Sequence, residues 1–113
     1  MIRIRRAYEP PARGDGRRVL VDRIWPRGVS KEEAQVDEWL KEIAPSNELR
    51  KWFGHAPERW EEFRRRYFDE LDAHPELVQH LREWADGHTV TLVYGARDTE
   101  HNNAVALKEY LQA

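Results

Sequence analysis

Two short apolar runs constrain this chain more than anything else in it. Val19-Leu20-Val21 gives way to Asp22-Arg23-Ile24-Trp25-Pro26-Arg27-Gly28, and Thr89-Val90-Thr91-Leu92-Val93-Tyr94 stops at Gly95. Both are too short for core helices and end where proline or glycine breaks regular structure, so they read as buried strands. Between them the pattern is helical. Trp60, Phe63, Tyr67 and Leu71 recur at spacings of three and four, and Leu77, Leu81 and Trp84 repeat the pattern after Pro75. Short strands alternating with helices of roughly 10–15 residues predict an α/β fold. The expected architecture is one layered domain over residues 1–113, with a small, largely parallel sheet flanked by helices.

The remaining segments fill in that frame. Ile2–Arg6 alternates apolar and basic residues and reads as a half-exposed strand, followed by a Pro- and Gly-rich loop over residues 9–16. The strand containing Val19–Val21 is expected to reach Ile24. Ser30-Lys31-Glu32-Glu33 fits a reciprocal cap opening a short helix through Ala34. Val36–Ile43 suits either a strand or a helix, and a strand is favoured. Ser46 caps a helix over residues 47–53 that ends at Gly54. Pro57 opens the helix that carries Trp60, and a last helix over residues 100–112 packs Ala104, Leu107 and Leu111.

Composition narrows the class. Of 113 residues, 35% are charged and 40% apolar, with no long apolar run and no cysteine, which predicts a cytoplasmic protein without a membrane partner. Disulfides, thiolate nucleophiles and Cys-based metal sites are excluded. The five histidines lack the pairwise spacing of a metal site. No phosphate-loop, dinucleotide or nucleophile-elbow motif is present, so no cofactor is expected.

Parallel sheets bind ligands beyond the carboxyl ends of their strands, which singles out residues 24–30, 44–47 and 95–102. In the first region Arg23 and Arg27 flank the rigid Trp25-Pro26 elbow. Two planar guanidinium groups beside an indole wall suit a carboxylate, phosphate or other oxyanion. Ser46 in the second region is a helix cap and a candidate ligand contact. The third offers Arg97 as a further cation, Asn102 as a hydrogen-bonding group and His101 as the candidate for proton transfer, because imidazole titrates near neutrality. Trp52-Phe53 before Gly54 reads as a core plug rather than a stacking platform.

The function expected from these residues is binding of a small anionic metabolite at the strand ends, as a binding protein or a small enzyme assisted by His101. The alternative belongs to another class. Residues 1–31 hold nine Lys/Arg against three Asp/Glu, which is either a self-neutralising segment or a basic face for nucleic acid or a protein partner.

With those segments in hand, the chain resembles the DUF488 family, in its short YeaO-like branch of bacterial and archaeal proteins. The resemblance is carried by Val21 through Lys31, by Trp39-Leu40-Lys41 and Ala44-Pro45-Ser46, by Leu49 through His55, and by Asp98 through Leu111 with His101-Asn102. It runs over essentially the whole chain. Arg97 stands where relatives tend to have Lys, which keeps the cation. The resemblance implies an α/β fold and a cytoplasmic protein, and it brings no catalytic residues with it.

Overall fold

The computed structural model describes residues 1–113. Four parallel strands form one sheet in the order β1-β4-β2-β3: β1 is Ile2–Arg6, β2 Arg17–Leu20, β3 Glu38–Trp39 and β4 Val90–Tyr94. Ile4 stands opposite Leu92, and Val19 opposite Leu92 on the other side. The fold is therefore α/β, as expected. β1 and β2 do not form a hairpin, because the late strand β4 lies between them.

Alternation along the strands gives the sheet two unlike faces. Ile2, Val19, Val21, Val90, Leu92 and Tyr94 join one cluster with Leu49 and Phe53 of α2 (Asn47–Phe53), Phe63, Tyr67 and Leu71 of α3 (Trp60–Asp72), Val78 and Leu81 of α4 (Pro75–Ala85), and Ala104, Leu107 and Leu111 of α5 (Asn103–Gln112). Each large aliphatic or aromatic side chain buried there contributes about 1.5–3 kcal/mol. Tyr67, fully buried, donates its hydroxyl to the Ile43 carbonyl at 2.6 Å. Burial pushes its pKa above the usual phenol range.

The opposite face holds a smaller cluster, Ala7, Leu20 and Val93, with Trp25, Val36 and Trp39 packed against it. Beside it much of the basic N-terminal third turns inward. Arg18 and Asp15 are both buried and meet at 2.6 Å; Arg5 reaches the same carboxylate at 3.2 Å and Arg3 at 3.9 Å. Arg18 also donates twice to the Ala34 carbonyl, which anchors α1 (Lys31–Ala34). Burial alone would raise the Asp15 pKa, but the Ala12 N–H, the Arg18 hydrogen bond and the Arg5 charge outweigh it and hold the carboxyl below its usual range. Arg6 donates to the Ala96 carbonyl and Arg17 stacks over Trp84.

Several boundaries differ from those expected. β2 begins at Arg17 and ends at Leu20, although the Val21 amide still bonds the Val93 carbonyl at 3.0 Å. Only Glu38–Trp39 of the Val36–Ile43 segment is strand; a 3-10 turn at Lys41–Ile43 comes next, directing Ile43 into the core. The last helix starts at Asn103 rather than residue 100, since Asp98 first accepts the amides of Glu100 and His101 in a turn of its own. The caps at Ser30, Ser46 and Gly54 form as expected. No helix is long and apolar enough to cross a membrane.

Candidate functional site

A cavity of about 460 Å³ opens beyond the carboxyl ends of β1, β2 and β4. The loop after β2 supplies Asp22, Arg23, Ile24, Trp25, Pro26 and Arg27. The loop after β4 supplies Gly95, Ala96, His101 and Asn102, with Asn103 from α5. Ala44 and Pro45, Arg50 and Phe53 of α2, His55, Phe63 of α3, and Tyr8 complete the wall. A hollow of about 730 Å³ at the opposite end, by Arg13, Arg17, Trp84 and His88, is more open and lies at the amino ends of β2 and β4. Parallel sheets seldom hold ligands there.

The β2 loop is held from several sides. Trp39 donates its indole N–H to the Asp22 carbonyl at 2.6 Å, and Trp25 donates to the Val29 carbonyl at 2.6 Å. The two indoles meet edge to face at 5.4 Å. Tyr8 donates its hydroxyl to the Arg27 carbonyl at 2.9 Å. Arg23 reaches across to the carbonyls of Pro45 and Ala44, both at 3.2 Å, and so ties this loop to the start of α2. Nε and one terminal nitrogen are engaged with backbone while its charge stays at the cavity wall.

Arg27 differs. It is exposed at the cavity mouth, and its guanidinium has no carboxylate partner. Arg50 is also exposed, bonding only to Asn47 on its own helix at 3.3 Å. His55, at φ 58 just after Gly54, lines the same hollow. Three guanidinium groups and two imidazoles therefore surround a cavity whose wall includes one carboxylate, Asp22.

That carboxylate accepts the Gly95 amide at 2.8 Å and the Asn103 side-chain amide at 3.0 Å. Burial raises its pKa, offset in part by these two bonds and by the charges of Arg50 and His55. Elsewhere on the wall His101 Nδ1 lies 2.9 Å from Asp98, and its ring meets Trp60 edge to face at 5.4 Å. The Asp98 pKa is held below the usual range by the Glu100 amide first, then by the His101 side chain and amide.

The structure thus brings Arg23, Trp25, Arg27, His101 and Asn102 to one cavity and leaves two expected residues outside it. Arg97 is exposed and does not line the wall. Ser46 faces a different hollow, where its amide and hydroxyl donate to Glu70 at 2.8 and 2.6 Å and its oxygen caps Leu49. Asn102 lies at the wall with its amide engaged, accepting from the Val105 N–H and donating to the Asp98 carbonyl, both at 2.9 Å. Asp22, Arg50, His55 and Asn103 are site residues that the sequence alone does not single out. An acid placed directly after a buried strand run is the available signal for Asp22. Phe53 plugs the core, as expected, and also walls the cavity.

Fold and site define an α/β domain with a cation-rich hollow at the ends of a parallel sheet. The chain belongs to the DUF488 family: residues 1–113 match its inactive DUF488-N3 subclade. It is 41% identical over 112 residues to the uncharacterized protein YeaO of Escherichia coli, covering 99% of this chain and 97% of that one. It is 43% identical over 110 residues to the uncharacterized protein Rv3073c of Mycobacterium tuberculosis, covering 97% and 92%. No solved structure matches the chain.

Proposed function

We propose that the protein binds a small organic anion in the cavity at the ends of β1, β2 and β4, and that it holds this ligand rather than transforming it. The observation that carries the reading is the pair Arg27 and Arg50, both lining the hollow with no internal carboxylate to neutralise them. Charged side chains without partners at a concave, partly apolar site are suited to an ionic ligand. Arg23 adds positive potential at the wall, and the amino end of α5, which begins at Asn103, lies at the same hollow. Phe53, Phe63 and Pro26 give a carbon skeleton an apolar surface to lie on. The description of the matching subclade as inactive favours retention over turnover.

A thermal-shift panel of sulfate, phosphate and small carboxylates at constant ionic strength tests this reading. A saturable rise in melting temperature is expected, growing with anion concentration as ligand linkage requires. Arg27→Ala and Arg50→Ala are expected to fold normally and to lose most of that rise. A rise unchanged in both variants would overturn the assignment.

A further inference from the structure

The cations account for one end of a ligand, and Asp22 points to the other; its role rests on the anion binding proposed for the same cavity. A carboxylate offers about four acceptor directions. Asp22 spends one oxygen on the Gly95 N–H at 2.8 Å and the other on Asn103 Nδ2 at 3.0 Å. Arg50 and His55 influence it through their charges rather than by a salt bridge. The group lines the cavity, so roughly two acceptor directions remain for a donor that the protein itself does not provide. A half-buried carboxylate at a cavity wall is suited to accept such a donor.

The approach to Asp22 is built into the backbone. A Cβ on Gly95 would lie 3.2 Å from Asp22 Oδ2, tighter than ordinary contact, and 3.8 Å from Pro26. Glycine at this position lets the loops after β2 and β4 close on each other with the carboxylate between them. Asn103 fixes the other oxygen by also bonding the Val21 carbonyl at 2.9 Å. A rotamer held from two sides is a positioned acceptor.

We infer that the ligand is a phosphorylated sugar, its phosphate held by Arg27 and Arg50 and its hydroxyls donating to Asp22, either free or as the sugar phosphate of a mononucleotide. A zwitterionic amino acid would also offer a donor and an anion, but it has no net charge to match a cavity where cations outnumber the one carboxylate. A phosphate monoester has close to two negative charges at neutral pH, and a sugar supplies hydroxyl donors beside C–H surface that suits Phe53 and Phe63. The volume of about 460 Å³ lies within the range of small-molecule sites.

Calorimetric titration of the full chain with ribose 5-phosphate, adenosine monophosphate and methyl phosphate tests the inference. Both sugar phosphates are expected to bind about tenfold or more tighter than methyl phosphate, because hydrogen bonds to a charged acceptor are among the stronger ones. Tighter binding of adenosine monophosphate assigns the ligand to mononucleotides, and tighter binding of ribose 5-phosphate to free sugars. Asp22→Asn is expected to abolish the preference of the sugar phosphates over methyl phosphate. Should that variant fail to fold, the wild-type comparison decides alone. Equal affinity for all three would overturn the role of Asp22 and leave the anion site standing; no binding by any of them would overturn both.

Discussion

The Gly95 amide donates to Asp22 Oδ2 at 2.8 Å across 73 residues of sequence. This bond joins the loops that leave β2 and β4, and it sets one wall of the cavity. Gly95→Ala should therefore disturb stability and site together. Its Cβ would press on the carboxylate at 3.2 Å, and crowding of this kind costs about 1 kcal/mol or more. Denaturant unfolding should show that loss, and ligand titration should show weaker binding in the same variant. Retention of both would mean that the two loops have room to part.

Asp15 is expected to govern the acid limb of stability. Its folded pKa is lowered from 3.8, chiefly because the Ala12 amide and Arg18 overcome the opposing effect of burial. A lowered carboxyl pKa means stability that is present above the unfolded value and lost as pH falls through the folded one. Asp15→Asn leaves Arg18 buried without its counter-charge, which should cost about 3 kcal/mol at neutral pH. The gap between variant and wild type should close as pH drops below about 4. A gap that does not change with pH would show that the carboxylate charge is not what matters.

Ser46 separates capping from binding. Its hydroxyl caps α2 and bonds Glu70 at 2.6 Å, away from the cavity. Ser46→Ala should lower stability by about 1–2 kcal/mol and leave phosphate affinity untouched. Thermal melts with and without phosphate give both quantities from one preparation.

His101 should carry a proton on Nδ1. Ionised Asp98 can only accept, so the Nδ1 at 2.9 Å must carry the proton. In the neutral ring Nε2 is then left as an acceptor. Nitrogen-15 spectra of the imidazole should show a protonated Nδ1. The reverse tautomer would break the Asp98–His101 pair.

How much of the molecule is legible in its sequence depends on the range over which each feature is decided. The apolar runs at Val19–Val21 and Val90–Tyr94, the Trp60–Leu71 periodicity and the caps at Ser30, Ser46 and Gly54 are settled by neighbours a few residues away. Arg23 and Arg27 are visible because a Trp-Pro elbow comes directly after a strand. Their different fates are not: Arg23 meets carbonyls of residues 44 and 45, and Arg27 meets no carboxylate. Asp22 depends on Gly95 and Asn103, both far along the chain. Arg50 joins the site because Arg23 of the β2 loop bonds the carbonyls of residues 44 and 45, just ahead of α2. Nor does composition tell that three N-terminal arginines gather on Asp15. The Val36–Ile43 segment misleads because its length and position suit a strand, whereas only Glu38–Trp39 has a strand beside it to pair with.

Location is the central claim, and amide chemical-shift mapping during a phosphate titration tests it most directly. A cavity-bound anion predicts saturable shifts concentrated at Arg27, Arg50, His55 and Gly95, absent from the Arg27→Ala, Arg50→Ala double variant. Shifts centred instead on Arg13, Arg17 and His88 at the far end of the sheet, or no saturable shifts at all, would contradict it.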